Sequence, residues 1–283
     1  MTIITSPSAM RAWTAQQKSE NHRVGFVPTM GYLHQGHLSL VSLARTEGKC
    51  DRVVMSIFVN PTQFGPNEDF EKYPRDLERD RVMAETAGVD VLFFPSVDAM
   101  YSTDATTMVD VGAMGTVMCG ISRPTHFRGV TTVVAKLFSI VRPDTAVFGQ
   151  KDAQQFFIIE RMTRDLHMDV ALIMAPIRRE QDGLAMSSRN VYLNTDERRQ
   201  ALALNEALRE AESLIRNGQR NVDVIRTHME SIFARYPLVR KDYIAIVEAG
   251  SLAKREVIQG RTLIAVAAYL GKTRLIDNII ITV

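Results

Sequence analysis

Between positions 23 and 175, short apolar runs alternate with stretches whose apolar residues recur every three or four positions. The runs at 23–27, 52–59, 89–94, 145–148 and 169–174 read as buried strands, and the stretches at 37–47, 76–87, 129–141 and 152–167 read as helices. Strands alternating with helices in this way predict a parallel sheet covered on both faces, a Rossmann-like doubly wound α/β fold. After Pro176 the texture changes. The polar stretch RREQDGLAMSSRN is followed by helical periodicity at 195–217 and 221–235 and by strand-like runs at 242–248, 262–269 and 274–282. This predicts a second, smaller α+β domain, with the division drawn as 1–175 and 176–283.

Bulk properties narrow the class. The chain of 283 residues has room for one large domain or two modest ones. A formal net charge of +2 gives no broad footprint for nucleic acid or a membrane surface, so neither is an expected partner and an anion has to be held locally. Two cysteines, Cys50 and Cys119, match no disulfide framework or zinc spacing, which points to a reducing cytoplasm. No run approaches the ~18 apolar residues of a membrane span, and the first twenty residues lack a signal-peptide core. A soluble protein that is not exported by that route is expected.

Candidate chemistry begins at VPTMGYLHQGH, positions 27–37, where His34 and His37 flank Gly36 between a predicted strand and a predicted helix. Three readings compete. Histidines three apart can cap a helix or face solvent; they can share a metal, although no cysteine supplies a third ligand at a familiar spacing. They can also hold phosphate, since a helix N-terminus offers unpaired N–H groups and Gly36 permits close approach. The last explains more, because an imidazole protonated in a polyphosphate's field can stabilise the charge of a five-coordinate phosphorus. Other phosphate fingerprints are missing: Gly271-Lys272-Thr273 ends like a P-loop, but Val266 stands where its first glycine belongs, and no GxGxxG occurs.

His34-Gln35-Gly36-His37 resembles the HxGH signature of the nucleotidyltransferase superfamily, and Met186-Ser187-Ser188-Arg189 lies where that superfamily has its second signature. Three further stretches, SIFVNPTQFGPNEDFEKYPR at 56–75, RPTHFRGVTTVVAKLF at 123–138 and FGQKDAQQ at 148–155, narrow the likeness. With LAMSSRN, and more weakly TRLIDNI near the end, they resemble the pantothenate synthetase family. The resemblance implies a ligase that condenses pantoate with β-alanine at the expense of ATP, giving pantothenate, AMP and pyrophosphate through a pantoyl-adenylate.

Carried over position by position, the resemblance implies an ATP site made of Met30, Gly31, Tyr32, Leu33, His34, Gln35, Gly36 and His37, then Gly149, Gln150, Lys151 and Asp152, then Arg178, Met186, Ser187, Ser188 and Arg189. His37 and His34 are the expected catalytic donors, with Lys151, Ser187, Ser188 and Arg189 on the phosphates. Gln63 and Gln155 are the expected pantoate ligands; neutral amides can orient an acid without quenching it as a nucleophile. Gln150 stands where family members often carry glutamate, and Arg189 is the only cation of the Met186-Ser187-Ser188-Arg189 signature. Mg2+ is expected to accompany ATP, with Asp80 as its candidate ligand. Tyr73, Arg123 and His126 are expected near the acid or phosphate pocket, Asp152 also suits a helix N-cap, and the placement of the two signatures predicts hinge closure over ATP. The family further implies a homodimer. The alternatives are an HxGH nucleotidyltransferase that adenylylates a phosphorylated acceptor, and an RNA-binding relative of tRNA synthetases, which the near-neutral charge disfavours.

Overall fold

The computed structural model describes residues 1–66 and 68–283; Asn67, inside the 56–75 stretch, lies outside the described residues. The chain divides into two compact units. The first comprises Met1–Gly115, Arg123–Gly149 and Ile158–Pro176, and the second Thr116–Ser122, Gln150–Phe157 and Ile177–Val283.

In the first unit a six-stranded, wholly parallel sheet runs in the order β1-β4-β3-β2-β5-β6. Its strands are β1 (Thr2–Ile4), β2 (Val24–Thr29), β3 (Arg52–Ile57), β4 (Val91–Phe93), β5 (Thr145–Gly149) and β6 (Ala171–Ala175). The helices along this part of the chain are α1 (Pro7–Ser19), α2 (Gln35–Thr46), α3 (Leu77–Thr86), the short α4 (Val97–Met100) and α5 (Cys119–Ser122), α6 (His126–Val141) and α7 (Ala153–Asp165). Alternate strand residues serve opposite faces, as the pleat requires. Val27, Val53, Met55 and Leu92 pack with Leu40, Val41 and Ala44 of α2 and Ala84 of α3. Phe26 and Phe148 instead meet Phe138 of α6, edge to face at 6.4 and 6.3 Å.

Strand β2 pairs with β3 along its whole length but with β5 only at Gly25 and Phe26. Pro28, which has no N–H to give, therefore sits where pairing on the β5 side has already ended. The strand order reverses at this point, and a doubly wound sheet binds its ligands outside the carboxyl ends of the strands there.

The second unit is built on an antiparallel sheet β7-β8-β9: β7 (Val239–Glu248), β8 (Arg261–Leu270) and β9 (Thr273–Thr282). Helices α8 (Thr195–Gln200), α9 (Ala203–Arg216) and α10 (Val222–Ala234) accompany it. Leu204, Leu208, Met229, Ile264, Val266 and Leu270 are central members of its core.

Several boundaries differ from the sequence reading. Strand β1 and helix α1 are additions to it; β1 is three residues long, too short for an alternation to register, and gains its hydrogen bonds only by pairing with β4. The helix expected over 195–217 breaks into α8 and α9 at Ala201 and Leu202. Residues 116–122 and 150–157, expected in the first domain, belong to the second unit. Asn278 Nδ2 donates to the carbonyls of Gln150 and Lys151 at 2.9 and 3.0 Å, Gln154 Nε2 donates to the Val117 carbonyl at 2.8 Å, and Ser122 Oγ donates to Asp242 at 2.7 Å.

Candidate active site

Strand β2 hands its chain into a tight turn before α2. Gly31 and Tyr32 are both left-handed, with φ of +83° and +50°, which costs a residue with a side chain about 1–2 kcal/mol. Thr29 Oγ1 accepts from Gly31 N at 3.2 Å while donating to the Ser56 carbonyl at 2.7 Å. A Cβ on Gly31 would meet Ile57 Cγ2 at 2.9 Å and Asp80 Oδ2 at 3.0 Å, so close approach and conformation both require glycine.

His34 is the N-cap of α2. Its Nδ1 accepts from Gly36 N at 3.1 Å, and His37 Nδ1 accepts from His34 N at 3.3 Å, a capping box made by two imidazoles whose ring centroids lie 4.0 Å apart. Capping and ligand binding are therefore not exclusive. A ring nitrogen that accepts from a backbone N–H carries no proton, so each neutral ring keeps its proton on Nε2, as a donor. A doubly protonated ring would have to surrender its cap.

Asp80 does not fit the role of magnesium ligand. It is 1% exposed, and its two oxygens accept from Tyr32 N at 2.6 Å and Leu33 N at 2.7 Å. Burial pushes its carboxyl above the usual range, against the opposing pull of those two amides. Among the described residues no group of three or more His, Cys, Asp or Glu side chains is arranged to hold a metal ion. A magnesium ion that came with ATP would be held through the phosphates, water and at most one or two carboxylates, which needs no dedicated protein cage.

The pantoate candidate Gln63 lies in a one-turn 3-10 helix, Pro61–Gln63, capped by Asn60. It is buried; Asn60 Nδ2 donates to its Oε1 at 3.2 Å, and its Nε2 contacts Met30 Sδ at 3.0 Å. The Gln63 carbonyl receives Arg123 Nη2 at 3.2 Å and lies 2.8 Å from His126 Nδ1. Arg123 also clamps Glu68, with Nε to Oε1 at 2.7 Å. Burial pushes Glu68 up, but the Arg123 hydrogen bonds and charge outweigh it and hold the carboxyl below its ordinary range. Tyr73 is buried and packs its ring against Phe64 at 6.0 Å. Gly129 of α6 was not singled out by sequence reasoning. A Cβ there would meet Thr62 O at 2.4 Å and Gln63 N at 2.7 Å, so only glycine lets α6 run this close beneath Gln63. Within RPTHFRGVTTVVAKLF this glycine was visible as a weak helix former, but not its reason.

In the second unit the 3-10 turn Gln150–Asp152 precedes α7, so Asp152 lies inside that turn instead of capping a helix directly. Asn278 fastens the turn through both backbone carbonyls and through Gln150 Nε2 at 3.2 Å. Lys151 Nζ pairs with Asp152 at 3.3 Å. Gln154, neighbour of Gln155, is turned into the unit, accepting from Cys119 N at 3.1 Å. Arg178 offers its carbonyl to Met186 N at 3.0 Å, one rung of a hairpin that reverses at Gly183 with φ +99°. Arg179 braces that hairpin with a two-pronged pair to buried Asp277, at 2.6 and 3.0 Å. Beyond it, Ser187 caps the 3-10 turn Ser188–Tyr192, its Oγ accepting from Arg189 N at 3.2 Å. Asp277 and Asn278 both fall in TRLIDNI, whose contribution the sequence left unspecified.

The fold and the capped histidine pair define a Rossmann-like α/β protein of the HxGH type. The family model for pantoate-β-alanine ligase matches residues 2–280. A pantothenate synthetase from Thermotoga neapolitana is 54% identical over 281 residues, covering 99% of this chain and 100% of the relative. The structure is similar to the crystal structure of pantothenate synthetase from Thermus thermophilus, at 44% identity, 99% of each chain and a TM-score of 0.93. It is also similar to the pantoate-β-alanine ligase of Francisella tularensis complexed with β-γ ATP and β-alanine, at 32% identity over 99% of this chain and 97% of that one, TM-score 0.78. The chain belongs to the pantoate-β-alanine ligase family.

Proposed function

We propose that this chain condenses pantoate with β-alanine, using ATP. In the first step the pantoate carboxylate attacks the α-phosphorus and pyrophosphate leaves. In the second the β-alanine amine attacks the acyl carbon of the pantoyl-adenylate, forming the amide and releasing AMP.

The observation that carries this reading is the histidine capping box: His34 and His37 spend Nδ1 on the backbone of the turn, so a neutral ring has Nε2–H as its donor toward a phosphate whose charge grows in the transition state. Residues 30–37 then form the nucleotide-facing turn. Gln63, buried and held through its carbonyl, orients pantoate by its amide, with Gln155 as the second amide. Gly149, Gln150, Lys151 and Asp152, the Arg178 backbone, and Met186, Ser187, Ser188 and Arg189 serve the nucleotide, Lys151 and Arg189 as its cations. Magnesium enters as part of the substrate, MgATP. In this reading the enzyme is a cytoplasmic homodimer, as the family resemblance implies; both cysteines are free and buried, which suits a reducing compartment. Among the described residues no helix is long and apolar enough to cross a membrane.

The deciding experiment follows AMP and pyrophosphate release from ATP with pantoate and β-alanine supplied together and singly. AMP turnover that requires both substrates is the expected result. Pyrophosphate released only with a phosphorylated acceptor would move the chain to the nucleotidyltransferase alternative.

A further inference from the structure

The turn over residues 30–33 is held partly by Thr29, whose Oγ1 accepts from Gly31 N, and partly from outside. Gly31 and Tyr32 are consecutive left-handed residues, and Met30, Gly31 and Tyr32 border a cavity of about 220 Å³ that Ile57, Phe58 and Asp80 also line. Where the turn borders that cavity its packing is less dense than in a closed core, so polar contacts bear on its conformation. Helix α3 supplies such contacts. Asp80 accepts from Tyr32 N and Leu33 N, one amide to each oxygen, at 2.6 and 2.7 Å. From the adjacent position, Arg79 Nη2 donates to the Leu33 carbonyl at 2.9 Å, and its guanidinium lies 4.9 Å from the centre of the Tyr32 ring. Three backbone polar groups of two consecutive residues are thus fixed by two neighbouring side chains, immediately before the residue that caps α2.

We propose that Asp80 is a positioning residue: its carboxylate sets the Tyr32–Leu33 backbone and thereby aims the His34 and His37 rings, and it binds no magnesium. What the aimed histidines accomplish rests on the ligase reading above; that Asp80 aims them does not. A carboxylate whose two oxygens each carry a short amide bond in a buried site gains more from those donors than from a hydrated cation that must first shed water.

The test uses Asp80→Asn and Asp80→Ala in the full chain. Amide proton and nitrogen shifts of Tyr32, Leu33 and Gly36 are recorded without nucleotide. Adenylation kcat, the KM for ATP and pantoate, and the magnesium concentration giving half-maximal rate are then measured. Loss of the carboxylate is expected to move the Tyr32 and Leu33 amides upfield and to disturb Gly36. It should lower kcat about a hundredfold in Asp80→Ala, with both KM values and the magnesium requirement little changed. Asp80→Asn keeps one acceptor and should fall between. Should Asp80→Ala not fold, Asp80→Asn carries the same comparison. Unmoved Tyr32 and Leu33 amides, or a raised magnesium requirement, would overturn the proposal. If the unaltered chain released no AMP, the ligase reading would fail, and the amide shifts would still decide the role of Asp80.

Discussion

At the scale of single residues, the two histidines do local work with one ring nitrogen, and the proposed reaction would use the other. Nδ1 satisfies a backbone amide that a serine or aspartate would otherwise cap, and in the proposed reaction Nε2 is the donor toward phosphate. Removing the His37 ring should therefore cost one cap, about 1 kcal/mol of stability, and far more of the rate. His37→Ala is expected to lower adenylation by roughly 100- to 1,000-fold while its melting curve stays close to that of the unaltered chain. An adenylation rate that survives in that variant would remove the ring from the chemistry. His34 and His37 were legible as a pair in the sequence because both lie within one turn. Their tautomer was not, since it depends on which amide each ring faces.

Between elements, α6 runs tightly against the Pro61–Gln63 turn, and Gly129 makes that approach possible. A methyl at 129 has to displace Thr62 O and Gln63 N, both backbone atoms, so the turn moves and carries the Gln63 amide with it. Gly129→Ala should raise the KM for pantoate at least tenfold and leave the KM for ATP nearly unchanged. The expected loss of stability is about 1–3 kcal/mol, read from denaturant unfolding. Equal changes in both KM values would point to general loosening instead. The strands and helices of both units were largely legible from periodicity. Their ends were less so: β3 stops at Ile57 rather than 59, because Asn60 and Pro61 begin the 3-10 turn, and α6 starts at His126 rather than 129.

For the molecule as a whole, acid should loosen the first unit through the Glu68–Arg123 clamp, which ties chain positions 55 residues apart. Glu68 has a lowered pKa in the folded state, so its stabilisation is fully present above the unfolded value of about 4.3 and is lost as pH falls through the folded value. The difference in melting temperature between the unaltered chain and Glu68→Gln should therefore be largest near neutrality and vanish in acid. A difference that persisted below the folded-state pKa would mean that the clamp is not electrostatic.

Periodicity over ten or so neighbours by itself determined that this chain makes a parallel α/β sheet followed by a smaller α+β unit. The signatures at 34–37 and 186–189 marked the superfamily it resembles, and the stretches at 56–75, 123–138 and 148–155 narrowed that to the family. Both are local properties, written in residues adjacent in the chain. Only the tertiary structure decided that Asp80 grips amides 48 and 47 positions away. It alone assigned residues 116–122 and 150–157 to the second unit, the latter fastened by Asn278 from 128 positions away. It alone showed that Gly129 is a matter of clearance. Each depends on where distant segments meet, and a buried carboxylate takes its role from the donors that surround it, which no local pattern specifies.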